Sequence, residues 1–118
     1  MMIEVSGAPE IDGLVFRRFE DKSDYSVMSS VGRRSWEADG VENIETEEEL
    51  ASEYDNLLNR NPSSEVIIAE VNGDPVAYGR IWPELDRNGE REFWHIAHVL
   101  PEWRKTALRL TIFRFNEA

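Results

Sequence analysis

Residues 98–109, HVLPEWRKTALR, combine the residue types of an anion-binding turn between a strand and a helix. A mostly apolar run ends at Pro101, basic residues follow, and the remainder has a helical pattern. The unpaired N–H groups and the dipole at a helix N-terminus attract anions such as phosphate. Such turns usually carry glycine, because a missing Cβ lets a phosphate approach the backbone, and this turn has none. The sequence leaves open a working anion site, an altered one, and a simple strand-to-helix connection.

The two histidines are not expected to form a metal site. His95 and His98 lie three residues apart, so on a strand their side chains point to opposite faces. The chain has no cysteine, which excludes disulfides, thiolate metal sites and thiol catalysis and fits a cytoplasmic protein. We also find no P-loop and no nucleophile-elbow pattern in the sequence.

Length and charge restrict the class of protein and its partners. The 118 residues, 41% of them hydrophobic, suffice for one small domain with a modest core. A net charge of −11 repels nucleic acid and anionic membranes and attracts cationic small molecules. No apolar run approaches the roughly 20 residues of a membrane span. The N-terminus lacks the basic start and apolar stretch of a signal peptide.

The charge is unevenly distributed along the chain. Residues 35–59 hold nine acids and no base, whereas residues 104–118 hold four bases and one acid. The candidate anion turn therefore opens the one locally basic segment. The acidic stretch has two interpretations, attraction of a cationic amine or helix capping combined with solubility. The carboxylates concerned are Glu42, Glu45, Glu47, Glu48, Glu49, Glu53 and Asp55.

Hydrophobic periodicity predicts the elements that position these groups. Residues 1–13 are predicted to be a loose lead-in, and Leu14–Phe19 has the composition of a first strand. Tyr25–Glu37 is predicted to be a helix ended by Gly40. A second helix follows the capping box Thr46–Glu49, in which the Thr46 hydroxyl accepts from the backbone N–H of Glu49. Its apolar stripe consists of Leu50, Tyr54, Leu57 and Leu58.

Three strands and a final helix complete the predicted order. Glu65–Val71 and Val76–Ile81 are strands joined by a hairpin at residues 72–75, NGDP. Glu92–Leu100 is apolar on both faces, which predicts a central position in a sheet. A helix of about three turns begins after Arg104. The order strand, helix, helix, strand, strand, strand, helix predicts an α/β fold in which helices pack on a mixed sheet.

This order, with its motifs, resembles the first half of the GNAT superfamily of N-acetyltransferases. The matching segments, from about Gly13 onward, are Leu14–Phe19, the two helices, SEVIIAEVNGDPVAYGRIW, FWHIAHVLPEWR and RFNEA. The pattern Val99, Pro101, Arg104 is more specific than the hairpin, which many sheets contain. The resemblance implies a single GNAT-like domain over residues 1–118. It also implies an acetyl-CoA-dependent N-acetyltransferase that moves an acetyl group to a primary amine of a small molecule or peptide.

The resemblance implies that the strand-to-helix turn holds the pyrophosphate of acetyl-CoA. In the family this turn has Arg or Gln, two residues, Gly, one residue, then Gly or Ala. Arg104 matches the first position, Ala107 replaces the glycine, and Arg109 stands at the small position. Ala107 is tolerated if its φ is negative and damaging if its φ is positive. Arg109 either fills the phosphate site or turns outward and pairs with a phosphate. The implied cofactor contacts are Val99, Leu100, Arg104, Lys105, Thr106, Ala107, Leu108 and Arg109.

The resemblance also implies groups for the transfer itself. His95, four residues before Val99, corresponds to a histidine of the arylalkylamine branch, and its ordinary pKa near 6.5 suits proton relay. Glu92 is a second candidate base, acting through water. A backbone N–H of Val99 or Leu100 is implied to hold the thioester oxygen. The alternatives are a histidine packed beside its aromatic neighbours and an ordinary sheet hydrogen bond.

The family fold continues with a fifth strand, a helix and two more strands, and this sequence ends before them. In the family the acyl-pantetheine arm lies between the fourth and fifth strands, and a tyrosine general acid often comes from the later part. Two hypotheses follow: an acetyltransferase, or a non-catalytic remnant or interaction module that has lost cofactor binding. In the second, Phe93–Leu100 is an apolar edge, which predicts a homodimer through this strand. The family places the acceptor near the first two helices, where Trp36 and Tyr54 either line a pocket or belong to the core.

Overall fold

The computed structural model describes residues 2–5, 7–42, 45–56, 61–85 and 87–117. Its strands are β1 (Met2–Ile3), β2 (Leu14–Arg18), β3 (Val66–Val71), β4 (Asp74–Leu85) and β5 (Arg91–Val99). Its helices are α1 (Asp24–Ala38), α2 (Glu47–Asn56), α3 (Pro62–Glu65) and α4 (Leu108–Glu117), and a 3₁₀ helix covers Pro101–Thr106. The predicted order of elements and the α/β class are confirmed, with β1 and α3 as short additions. The predicted mixed sheet differs from the described one, in which every strand pair is antiparallel.

The five strands form one antiparallel sheet in the order β1-β2-β3-β4-β5. The β3–β4 hairpin turns at Asn72 and Gly73, whose φ angles are 52° and 86°. Two successive positive φ angles give the tight turn whose twist matches that of the flanking strands, and Asn-Gly adopts them at low cost. The predicted hairpin is therefore present, and it fixes the register of β4 against β3.

Helices cover both faces of the sheet, and each face has its own core. On one face α4 contributes Leu108 and Ile112, which pack on Phe16, Ile67 and Ala97. On the other face α1 and α2 pack on β3 and β4 through a second core that contains Met28, Val31, Leu50, Tyr54, Ile68 and Tyr78. Side chains alternate along each strand between the two cores, as the period of a strand requires. Among the described residues, no helix is both long and apolar enough to cross a membrane.

Close packing of α4 on β4 depends on a glycine. A Cβ at Gly79 would lie 2.2 Å from Cγ2 of Ile112, far inside van der Waals contact. The absence of a side chain at Gly79 therefore sets how near α4 approaches the sheet. Because the 3₁₀ helix leads directly into α4, this contact also contributes to the position of the strand-to-helix turn.

The starts of α2 and α3 follow from local capping groups. The backbone N–H of Glu49 donates to the Thr46 hydroxyl at 3.1 Å, which is the predicted first half of the capping box. Asn61 caps the short α3, where its side-chain oxygen accepts from the N–H of Ser63 at 3.0 Å. Leu57 and Leu58, assigned from the sequence to the apolar stripe of the second helix, lie outside the described residues.

The predicted central position of the Glu92–Leu100 strand is wrong. Of the described strands, β5 pairs with β4 alone, so it forms an edge of the sheet. Its apolar pattern has another cause, since α4 covers one face at His95 and Val99 and α1 covers the other at His98. The pattern of apolar side chains along a strand indicates whether its two faces are covered. It does not indicate how many strands pair with its backbone. The lead-in also differs from expectation, because Met2 and Ile3 pair with β2.

Candidate functional site

A pocket of about 220 Å³ lies between α1, the residues around the start of α2, and the paired strands β4 and β5. Alternate residues of the two strands face it, since Tyr78 is paired with His98 and Arg80 with Ile96. The remaining lining residues come from the two helices and the segment before α2: Met28, Ser29, Gly32, Arg33, Trp36, Glu45 and Glu49. The pocket thus combines aromatic surface with both signs of charge, which suits a small polar ligand.

Arg80 supplies a buried positive charge at the pocket. One of its terminal nitrogens lies 3.1 Å from both carboxylate oxygens of Glu45, and the other donates to Glu53 at 2.8 Å. The guanidinium also lies 4.8 Å from the ring centroid of Trp82. Burial raises the pKa of the Glu45 carboxyl, although the charge of Arg80 opposes this. Two carboxylates therefore compensate Arg80 and tie α2 and the segment before it to the sheet.

His98 is the histidine of the pocket and it is buried. Its Nδ1 lies 3.3 Å from the Ser35 hydroxyl, and its ring lies 5.4 Å from Trp36 and 5.3 Å from Tyr78 between centroids. Burial, together with nearby arginines of which Arg109 has the largest effect, lowers the pKa of His98 to about 4. The imidazole is consequently neutral at neutral pH.

Gly32 and Tyr78 define the wall between α1 and the sheet. A Cβ at Gly32 would lie 3.2 Å from the Tyr78 hydroxyl and 3.8 Å from Cδ2 of His98. Burial raises the pKa of the Tyr78 hydroxyl, so it stays protonated and can donate a hydrogen bond. The missing side chain at Gly32 leaves open the part of the pocket next to these two rings.

The strand-to-helix turn has an unusual backbone at Ala107. After the 3₁₀ helix, Ala107 has φ 65° and ψ 12°, in the left-handed region. At this positive angle an alanine is strained, as predicted, because its Cβ clashes with the backbone at a cost of about 1 kcal/mol. The turn keeps a conformation typical of glycine, with an alanine in place.

Arg104 is held inside the fold. Its Nε donates to the Val99 carbonyl oxygen at 3.2 Å, and its Nη2 donates to the carbonyl and hydroxyl oxygens of Ser35 at 2.6 and 3.0 Å. Its Nη1 lies 2.6 Å from the Asp39 carboxylate, whose pKa this contact lowers. The arginine predicted to contact a phosphate therefore joins the end of β5 to the C-terminal part of α1.

The other predicted cofactor residues are partly available. Lys105 and Arg109 are exposed, and the charge of Arg109 is near enough to lower the pKa of both His98 and Asp39. Thr106 donates its hydroxyl proton to the Trp103 carbonyl, and Leu108 is buried in the α4 core. The exposed cations of the turn are thus Lys105 and Arg109.

The backbone groups at the end of β5 differ in direction. The Leu100 N–H donates to the Val76 carbonyl at 2.9 Å, so it is engaged within the sheet. Val99 is paired with Ala77, and the bond from Leu100 shows that this is a non-hydrogen-bonded pair of the antiparallel ladder. The Val99 N–H therefore points away from β4, toward the open edge of the sheet. Val99 is nevertheless fully buried, and Arg104 covers its carbonyl oxygen.

The structure places the two predicted bases outside the pocket. His95 lies on the opposite face of β5, where its ring meets Phe113 edge-on at 4.8 Å between centroids. Its buried Nδ1 has no hydrogen-bond partner among the described residues. Glu92 is exposed near the start of β5. The predicted opposite orientation of His95 and His98 is confirmed, since His98 packs on α1.

The pocket brings together Tyr78, Arg80 and His98, and Ser35 contacts His98 from within α1. None of these four was predicted as a site residue. A signal was present, because Arg80 and His98 are polar residues that interrupt apolar stretches of their strands. Trp36 does line the pocket, whereas Tyr54 belongs to the core. Of the acidic stretch, Glu45 and Glu49 reach the pocket. The described residues contain no group of three or more His, Asp or Glu side chains that would hold a metal ion.

Three solved structures similar to this chain are GNAT acetyltransferases. A GCN5-related N-acetyltransferase from Sphaerobacter thermophilus matches with a TM-score of 0.71 and 18% identity, over 91% of this chain and 32% of that one. A GNAT family acetyltransferase from Staphylococcus aureus matches with a TM-score of 0.56 and 11% identity, over 89% of this chain and 76% of that one. The protein yncA from Salmonella typhimurium, solved with its cofactor acetyl-CoA, matches with a TM-score of 0.59 and 16% identity, over 88% of this chain and 61% of that one.

These likenesses show the fold of the chain. No protein-family model and no curated protein matches the sequence. The chain has the GNAT fold, as the sequence resemblance implied, and it spans about a third of the length of the Sphaerobacter protein.

Proposed function

We propose that this chain is an acetyl-CoA-dependent N-acetyltransferase of the GNAT type, acting on a primary amine of a small molecule or peptide. The observation that carries the proposal is the GNAT fold, in which the connection from β5 to α4 runs beside a polar pocket. Acetyl transfer to an amine needs a held cofactor, donors for the thioester oxygen and an acceptor for the amine proton. The described residues offer a candidate for each.

Acetyl-CoA is the proposed donor, since yncA has the same fold and was solved with it. The residues at the start of α4 fit an anionic cofactor. The first helical bond there runs from the Thr111 N–H to the Ala107 carbonyl, so the N–H groups of residues 108–110 have no helical partner. The exposed Lys105 and Arg109 add positive charge. When bound, acetyl-CoA supplies the acetyl group as an activated thioester.

The residues of this chain would act on the cofactor from the turn and from β5. Arg109 and Lys105 neutralise phosphate charge, and the Val99 N–H is directed to the open edge where it can donate to an oxygen. Access to Val99 requires the Arg104 side chain to withdraw, because it covers this edge. Arg104 is then released from Ser35 and is free to contact the cofactor.

The proposed acceptor site is the pocket beside α1. Glu45 and Glu49 provide negative charge for an ammonium group, and Trp36 offers an aromatic face on which a cation can pack. His95 and Glu92 remain the proposed groups that take the amine proton, although neither lines this pocket. Glu92, near the exposed start of β5, acts through water, whereas His95 on the α4 side of the strand serves only an amine that approaches from that face. The amine must lose this proton before its nitrogen can attack.

The proposed activity is tested by measuring CoA release from acetyl-CoA with a broad panel of primary amines. We expect turnover with at least one amine. Gly32→Met should abolish that turnover, because the side chain fills the space next to Tyr78 and His98. Ser30→Met, at an exposed position of the same helix, is the matched control. A homogeneous sample that turns over none of the amines would reject this function for the chain.

A second candidate function is supported by the open edge of the sheet. Phe93 and Trp94 on β5 are 60% and 51% exposed, and β5 has a strand neighbour on one side only among the described strands. Proteins seldom leave an apolar edge bare, because its free N–H and C=O groups pair with other chains. We therefore propose, as the alternative, a non-catalytic module that forms a homodimer through this edge and has lost cofactor binding.

Light scattering over a range of concentrations tests the homodimer. We expect the mass of a dimer for the wild-type chain and the mass of a monomer for Phe93→Lys, which places a like charge on both copies at the edge. Leu110→Lys, at an exposed apolar residue of α4, is the control. A wild-type chain that stays monomeric at high concentration would reject the homodimer.

A further inference from the structure

A continuous chain of polar contacts links the strand-to-helix turn to the pocket. Arg104 Nη2 donates to the Ser35 hydroxyl oxygen at 3.0 Å, and that oxygen lies 3.3 Å from Nδ1 of His98. Ser35 itself is completely buried in α1. The hydroxyl therefore stands between a residue of the proposed cofactor turn and the one histidine that faces the pocket.

The donors and acceptors along this chain favour one assignment. A guanidinium only donates, so the Ser35 oxygen accepts from Arg104. The hydroxyl has one proton of its own, and Nδ1 of a neutral imidazole is a lone-pair acceptor when Nε2 carries the hydrogen. The Ser35 proton pointing at Nδ1 satisfies all three groups. His98 is then the tautomer with its proton on Nε2.

The ring orientation gives this assignment a consequence for the pocket. Nδ1 faces Ser35, and Cδ2, which is bonded to Nε2, lies nearest to the open space at Gly32. We propose that Ser35 is a positioning residue that fixes His98 as the Nε2–H tautomer, so that the pocket presents a constant hydrogen-bond donor to an oxygen atom of the bound substrate. The use of this donor in catalysis or specificity rests on the proposed acetyltransferase function.

The surroundings of His98 favour the same neutral form. Burial and the cations Arg109, Arg80 and Arg104 lower its pKa, while Asp39 has the smaller opposite effect. The facing ring from β4 is Tyr78, which stays protonated, and the facing ring from α1 is the uncharged Trp36. A neutral imidazole with Nε2–H is a donor at neutral pH and does not act as a base through that nitrogen.

Nitrogen-15 spectra of the protein labelled at histidine test this inference. Only two histidines are present, and His95→Gln assigns the signals. At neutral pH we expect the wild-type His98 to have a protonated Nε2 and an unprotonated Nδ1. In Ser35→Ala the Nδ1–H tautomer should become detectable, because nothing then donates to Nδ1. Ser35→Thr keeps a hydroxyl and should restore the wild-type signals, and Ser30→Ala is the control on the exposed side of α1.

The outcomes separate this inference from the proposed function. A wild-type His98 with its proton on Nδ1, or a Ser35→Ala variant with no Nδ1–H form, would overturn it. Since the wild-type spectrum decides the tautomer, the test does not depend on the variant folding. The spectra need no substrate, so a lack of acetyl transfer would reject the proposed function and leave the positioning role of Ser35 standing.

Discussion

Arg104 and Ser35, 69 residues apart in the sequence, are joined by two hydrogen bonds from one guanidinium nitrogen to the carbonyl and hydroxyl oxygens of Ser35. The same guanidinium also contacts Asp39 and the Val99 carbonyl. The arginine that opens the proposed cofactor turn therefore holds α1, β5 and the turn together in the free protein. Cofactor binding that recruits Arg104 must break these bonds, which connects the turn to the pocket at His98.

Loss of Arg104 should destabilise the fold more than loss of a surface arginine in the same region. Arg104→Met leaves the Ser35 and Val99 carbonyl oxygens without this partner, and we expect the free energy of unfolding to fall by about 1–3 kcal/mol. Arg34→Met is the matched control, since Arg34 joins α1 to Glu102 of the 3₁₀ helix through a half-exposed pair. It should cost below about 0.5 kcal/mol. Urea unfolding measures both, and equal losses would contradict a structural role of Arg104.

Glycine at the left-handed position of the turn should stabilise the protein. Ala107→Gly relieves the Cβ clash at φ 65° but increases the freedom of the unfolded chain, so we expect a net gain of about 0.5–1 kcal/mol. Ala51→Gly, inside α2, should have the opposite sign and cost about 1 kcal/mol. Thermal unfolding compares the two. A loss of stability in Ala107→Gly would mean that the backbone of the turn is not left-handed.

His98 should make stability depend on pH. The folded protein keeps this ring neutral down to a pKa of about 4, whereas the unfolded chain binds a proton below about 6.5. The free energy of unfolding contributed by His98 is therefore present above pH 6.5 and is lost as the pH falls toward 4, by about 3 kcal/mol in total. His98→Gln removes this contribution. Urea midpoints of the wild type and His98→Gln are compared from pH 7.5 to 4. Because carboxylates titrate in both proteins, the difference between the two midpoints isolates the effect of His98. A difference that stays constant with pH would contradict a buried, neutral His98.

Local signals predicted most of the fold. Thr46 caps α2 because a hydroxyl three residues before Glu49 satisfies a free N–H of the helix start, and Asn72-Gly73 turns the hairpin because both residues tolerate positive φ. Each of these depends on residues within a few positions of one another. The edge position of β5 was not predictable in this way, because both faces of the strand are apolar where α1 and α4 pack on them. That pattern is the same for an edge strand and a central one.

The site was less predictable, because its contacts join distant parts of the chain. The Arg80 contact with Glu45 spans 35 residues, and the His98 contact with Ser35 spans 63. A motif placed Arg104 at the turn, but only the packing of α1 on β5 explains why its side chain contacts Ser35. The choice of His95 over His98 followed the family position and carried no information on which face of β5 borders the pocket.

The most direct test of the central claim is a calorimetric titration of the 118-residue chain with acetyl-CoA. We expect binding with a Kd on the order of micromolar, weakened about tenfold in Arg109→Gln through loss of a charged contact to phosphate. Lys22→Gln, which removes an exposed cation that pairs with Asp55, should bind as the wild type does. Absence of binding at about millimolar acetyl-CoA, or unchanged affinity in Arg109→Gln, would contradict a working cofactor turn.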